Sequence, residues 1–189
     1  MFFGGKNMNI KAMKLFLSEG SIGAHLEYFR RLRLIHSANE KCYPSAKCET
    51  AEDIMKLQIK RAEKIRLISN LNELRLHECF FSSFVELPRP VREIKKYYTS
   101  EEAFCYELLE ACMLTEYGFV YVALDNRRRP LIRTVEKYRE LDVYAKPLLA
   151  IDVCEHAYFS DYGFDKKRYL RSLLSKIDLS RLYPICESK

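Results

Sequence analysis

No apolar run in the 189-residue sequence approaches the ~20 residues that cross a bilayer as a helix. The opening residues, Met-Phe-Phe-Gly-Gly-Lys-Asn, lack the charged, apolar and cleavage regions of a secretory signal. The expectation is a soluble, cytoplasmic protein. CxxC pairs are missing too. The seven cysteines are odd in number and scattered, which fits reduced thiols and argues against a disulfide framework. Cys42 and Cys48 have the spacing of half a zinc clip, but no paired partner follows them. There is no internal repeat and no low-complexity tract, so a solenoid is excluded.

What is present is a core-forming chain. Hydrophobic residues make up 48%, with 13 Tyr and 11 Phe, enough for one domain or two small ones sharing a core. The net charge is +6, but the 32 basic residues are interspersed with 26 acidic ones. That pattern reads as a mixed surface, with a positive excess able to draw a small anion toward a pocket.

Residues 1 to about 18 carry no chemistry and read as a lead-in. From 18 to 39, His25, Tyr28, Phe29, Leu32 and Ile35 recur at helical spacing, with Arg30, Arg31 and Arg33 largely on other faces. His25 is either a core-edge histidine or a ligand, and the arginines are either a solvated face or a phosphate-binding strip. A loop at 41–50 contains Pro44, and Thr50 with Asp53 forms a capping pattern that restarts a helix. From 65 to 85 the stripe Leu74, His77, Phe81, Phe84 turns His77 toward the core, where an imidazole needs a partner or a metal. Glu73 sits one turn before it.

Pro88 and Pro90 break the helical pattern and mark a domain boundary, giving an N-terminal domain at 1–87 and a C-terminal one at 88–189. Thr99 and Glu102 read as a capping box for a helix to about 115, with Phe104, Leu108, Ala111 and Cys112 inward. Gly118 ends that pattern. A strand at 119–124, a polar turn with Arg127, Arg128 and Arg129, and a strand at 131–135 follow. A closing helix at 166–182 packs through Tyr169, Leu170, Leu173, Leu174 and Ile177. The order is a helical front half, a proline joint, then helix, two or three antiparallel strands, and helices.

The chain turns on 147–158. An apolar run at 148–151 reads as a buried strand that delivers Asp152 at its end, and His156 follows four residues later with Glu155 beside it. A helical turn after Asp152 would bring the two side chains close enough to bind one ion. A carboxylate and an imidazole are half of a donor set for a non-haem metal, and also a common surface pair.

Taken together, these segments resemble the iron/manganese superoxide dismutase family. Its signature, Asp-x-Trp-Glu-His-x-Tyr-Tyr, reads here Asp152-Val-Cys-Glu-His-Ala-Tyr-Phe159, followed by Asp161 and Tyr162. Leu76-His-Glu-Cys-Phe-Phe81 is similar to the family's Asn-His helix, and Glu116-Tyr-Gly-Phe-Val-Tyr121 to its Gly-Trp-Ala-Trp strand. Ser21-Ile-Gly-Ala-His25 lies where the family's first helix offers a histidine.

The resemblance implies an α+β fold, with an N-terminal helical hairpin followed by a C-terminal α/β domain. That domain would hold a three-stranded antiparallel sheet, and the metal site would lie between the two domains. It implies His25, His77, Asp152 and His156 as ligands of one iron or manganese ion per chain, with dismutation of superoxide to O₂ and hydrogen peroxide as the activity. It further implies a homodimer, with Glu155 reaching across the interface, and a kept Tyr158. Arg33 stands at the family's gateway tyrosine, Phe29 at the histidine before it, and Cys154 at the signature tryptophan. Glu73 stands at the iron-type glutamine, and near Lys137 the manganese-type Asn-Gln is absent. These departures leave open a divergent metalloprotein on the same fold. A basic module built on Arg30, Arg31, Arg33 and Arg127, Arg128, Arg129 is a third reading, with nucleic acid as its partner.

Overall fold

Ser18 stops the chain from running straight into its longest helix. Its backbone is extended, and its hydroxyl accepts the Ser21 N–H at 3.2 Å, satisfying one donor that the first turn leaves open. In the computed structural model, which describes residues 8–43, 50–136 and 146–185, that helix is α2, Glu19–Cys42, preceded by a single turn, α1, Ile10–Met13. A short α3, Ala51–Met55, leads to α4, Arg61–Phe81, and α2 and α4 lie against each other as a hairpin. The Thr50–Asp53 capping box is formed as expected.

After a 3-10 turn at Arg92–Lys96 come α5, Glu101–Leu114, and the strands β1, Gly118–Leu124, and β2, Pro130–Glu136. Strand β3, Leu149–Asp152, precedes a 3-10 turn at Glu155–Ala157, then α6, Phe159–Tyr162, and α7, Lys166–Leu174. A last 3-10 turn spans Leu179–Ile185. The sheet is antiparallel throughout, in the order β2-β1-β3. This is the expected α+β architecture, with helices first and a three-stranded sheet flanked by helices after.

Register follows from one glycine. Gly118 has φ of +127°, and a Cβ there would fall 1.9 Å from the Val135 carbonyl oxygen. Only glycine lets β2 close on β1 at this end. Rather than only ending a helix, Gly118 opens the sheet. Along β1 every residue from Gly118 to Ala123 is buried, because α4 and α5 cover the sheet. The core joins both halves of the chain, from Phe80, Phe81 and Phe84 to Phe104, Leu108, Ile151 and Tyr169. Each such side chain contributes about 1.5–3 kcal/mol by leaving water.

Several expectations need correction. The lead-in is not idle: Ala12, Met13, Phe16 and Leu17 are buried, and the Asn9 N–H reaches the Phe81 carbonyl. Its apolar residues dock onto the end of α4, a contact with no local signature. Ile35 is 46% exposed and leaves the packed stripe of α2. The α5 cap is Ser100 rather than Thr99, since the Ser100 hydroxyl accepts the Ala103 N–H. The closing helix ends at Leu174, short of 182. There the chain pairs Phe84 with Ile177, and Val85 N–H with the Lys176 carbonyl, so a tertiary ladder outcompetes the next turn of helix.

The arginines are exposed. Arg30 and Arg31 both pair with Glu27 one turn away, and Arg127, Arg128 and Arg129 form an exposed tip whose backbone is organised by Asp125. Cys48, Pro44 and Lys137 lie outside the described residues.

Candidate metal centre

Four elements converge on one point. α2 supplies His25 and α4 supplies His77. Asp152 stands at the last residue of β3, and His156 sits in the 3-10 turn that follows. The Nε2 atoms of His25, His77 and His156 lie 3.2, 3.4 and 3.1 Å from Asp152 Oδ2. One donor atom from each residue falls within 4.8 Å of all the others. Asp152 and His156 meet without the continuous helix their spacing suggested. Instead, Asp152 Oδ1 accepts the Cys154 N–H at 2.9 Å, which bends the chain back so that the turn carries His156 inward.

Neighbouring groups hold the scaffold in place. Asp161 accepts the Ser18 N–H at 2.7 Å, tying the start of α2 to the helix just after His156. The Tyr169 hydroxyl donates to the Asp152 carbonyl at 3.0 Å, and Tyr158 stacks on Tyr169 with centroids 4.8 Å apart. Phe80 and Phe81 each lie 5.0 Å from His25, and Phe119 lies 4.9 Å from His77. Phe29 stacks at 6.1 Å from His77.

Electrostatics says what this cluster needs. The side chains of His25, His77 and Asp152 are sealed from solvent, while that of His156 is 27% exposed. His77 Nδ1 lies 2.8 Å from the Glu73 backbone carbonyl. A carbonyl only accepts, so Nδ1 carries the hydrogen and Nε2 presents a lone pair to a carboxylate oxygen. Burial pushes His77 down to about 3, keeping it neutral. Burial alone would raise Asp152, but the facing imidazoles of His156 and His25 outweigh it and hold the carboxyl well below its usual range. Nε2 of His25, Nε2 of His77 and Oδ2 of Asp152 are buried and make no hydrogen bond. Lone pairs turned toward one another in a dry pocket are costly, and a cation among them removes the cost. Three imidazoles and one carboxylate, with no thiolate in the group, suit iron or manganese.

The other expected site residues are placed unevenly. Glu73 is half-buried next to His77, and its Oε1 accepts the Tyr28 hydroxyl at 2.5 Å. Tyr158 is buried behind Asp152 rather than open to a ligand, and burial raises its phenol. Glu155 is exposed. Arg33 is exposed on α2, near Glu78. Sequence reasoning counted Tyr28 only as packing. Its ring lies 4.6 Å from His156 and 5.4 Å from His77. Its place three residues after His25, on one face of one helix, was the available signal. Cys79 and Cys154 donate to the carbonyls of Pro147 and Gly118, as small packed thiols do.

A family profile described as "Iron/manganese superoxide dismutases, C-terminal domain" matches residues 89–183. The chloroplastic iron superoxide dismutase 1 of Arabidopsis thaliana is 29% identical over 86 residues, 44% of this chain and 40% of that protein. The Mn/Fe superoxide dismutase of Rickettsia typhi is 27% identical over 131 residues, 66% of this chain and 62% of that protein. Its counterpart in Rickettsia prowazekii is 26% identical over 126 residues, 63% and 60% of the two chains. The chain thus spans between 40 and 62% of the length of these relatives.

Proposed function

The chain belongs to the iron/manganese superoxide dismutase family, and from that premise we propose that it is a metal-dependent oxidoreductase converting superoxide to O₂ and hydrogen peroxide. One observation carries the reading: three imidazole nitrogens lie within 3.1–3.4 Å of a buried carboxylate oxygen, two of them making no hydrogen bond. His25, His77 and His156 through Nε2, and Asp152 through Oδ2, would hold one iron or manganese ion. When bound, that ion supplies a one-electron couple, so that two superoxides and two protons become O₂ and hydrogen peroxide.

The chain's own residues do the rest. Phe80, Phe81 and Phe119 exclude water from the inner side, which strengthens every charge interaction there. Tyr169 and Tyr158 position Asp152 from behind. The Glu73 carbonyl fixes the His77 tautomer, a common device for orienting a ligating imidazole. Tyr28 holds a proton at its hydroxyl, against Glu73 and beside the half-open His156. Arg33, exposed near Glu78, contributes only through the field it adds at the surface.

The two domains, 1–87 and 88–189, would share the centre, each supplying two ligands. A homodimer would form over Glu155, next to which Phe159 and Phe164 are 44% and 92% exposed and meet edge to face. Cys42, Cys79, Cys105, Cys112 and Cys154 are free thiols, which suits the cytoplasm. Among the described residues no helix is long and apolar enough to cross a membrane.

Metal analysis with a superoxide-consumption assay tests the reading. The expected result is iron or manganese near one per chain and activity above that of the free ion. A fully loaded protein no faster than free metal refutes the dismutase. It leaves the divergent oxidoreductase, which the displaced tyrosine at Tyr28 favours.

A further inference from the structure

A small pocket adjoins the candidate centre, and three of its wall residues touch a donor residue. Along α4, Ser69, Glu73 and Leu76 fall at i, i+4 and i+7 and make one side. Phe119 and Val135, opposite each other on β1 and β2, make another, with Gly118 beside them, and Cys154 completes the lining. Glu73 gives its backbone carbonyl to His77, Phe119 lies 4.9 Å from the same imidazole, and Asp152 accepts the Cys154 N–H at 2.9 Å. The pocket measures about 20 Å³, more than the ~10–15 Å³ that one water requires. Its walls do not suit a water, however. They are almost wholly apolar, and Leu76, Phe119, Val135 and Cys154 are buried. Glu73 Oε1 accepts the Tyr28 hydroxyl on the facing helix, and the Cys154 thiol donates to the Gly118 carbonyl at 3.6 Å. A buried water needs roughly 2–4 polar partners, and cavities without them stay dry and take up neutral apolar atoms such as xenon.

Resting on the metal reading above, we propose that this pocket is a binding site for molecular oxygen, the neutral product of that reaction. Superoxide and O₂ differ by one electron, and the pocket separates them by that charge. A neutral apolar molecule gains by leaving water for an apolar void. An anion would lose its hydration and meet almost no polar wall in return. Hydrogen peroxide, a polar molecule, is disfavoured for the same reason. The selection requires no charged side chain, because it rests on the way α4 meets β1 and β2.

Xenon is the probe, being neutral and apolar and marking its position by anomalous scattering, in pressurised crystals of the iron- or manganese-loaded full chain. Metal content is measured first. A chain that takes up neither metal sinks the metal reading and with it the source of O₂, whereas a loaded chain with no xenon beside Phe119 sinks the pocket alone. The expected result in wild type is a xenon peak against Leu76, Phe119, Val135 and Cys154. Val135→Leu adds a methylene to the wall and should lower xenon occupancy by ~5-fold or more, while Val135→Ala should keep or raise it. Adding O₂ to the xenon should lower the wild-type peak, since the two compete for one space. An ordered water in the pocket under xenon pressure overturns the proposal. So does an occupancy in Val135→Leu within ~2-fold of wild type, a loss of xenon in Val135→Ala, or a peak that O₂ leaves unchanged.

Discussion

The candidate metal centre has a dry flank and an open one, and they follow different rules. On the dry side His25, His77 and Asp152 are sealed beneath Phe80, Phe81 and Phe119. Their nitrogen and oxygen atoms face one another, so one cation placed among them would satisfy all three. Changing one of them leaves the others buried without compensation. On the open side His156, Tyr28, Glu73 and Glu155 meet solvent or one another through hydrogen bonds. Such a network tolerates new members, and here it holds a carboxylate and a tyrosine from an unexpected position. The lesson is that the donor set is locked by burial, while the chemistry at its mouth is set by contacts that can be exchanged.

The largest expected effect breaks the dry flank. Asp152→Ala removes the shared oxygen and should lower metal affinity by well over ~100-fold, beyond the loss from an outer neighbour of a ligand. Metal retention after dialysis against a chelator measures it, and retention equal to wild type would dissolve the distinction between the flanks.

The next effect concerns acid. Burial pushes His77 down to about 3 from an ordinary 6.5, so below that ordinary value the unfolded chain binds a proton that the folded chain refuses. Stability of the metal-free protein should therefore fall as pH drops through 6.5, by ~2 kcal/mol at pH 5. Asp152, held well below its ordinary 3.8, adds a loss of the same sign only at lower pH, where an unfolded carboxylate protonates. Urea melts across pH 7 to 5 read the slope, and a flat profile would mean that His77 is not sealed. Last and smallest, Arg30→Ala on the solvated face should change stability by no more than ~0.5 kcal/mol, since its ion pair with Glu27 is exposed. A loss several times larger in the same melts would give that face a structural role.

Much of this was legible in the chain. The four donor residues were singled out from spacing and from the resemblance, and Asp152 needed only an apolar run ending in an acid. The Thr50–Asp53 cap and the strand–turn–strand around Arg127, Arg128 and Arg129 are local patterns within a few residues. The capping residue of α5 was one position off, because Thr99 and Ser100 offer the same chemistry. Tyr28 was read as packing, since no window spans it and Glu73 together. The break after Leu174 was missed for the same reason, its competitor being a ladder with Phe84 and Val85.

By itself the sequence determined the periodic elements and the residue types able to hold a metal, because helix, strand and cap are decided by neighbours within about four positions. Only the tertiary structure decided that three imidazoles face one carboxylate oxygen, that Tyr28 rather than Arg33 stands against them, and that the lead-in closes over the end of α4. Those are contacts between segments dozens of residues apart. They form because the buried surface and shared hydrogen bonds offset the entropy of closing long loops, and no stretch of chain displays that balance alone.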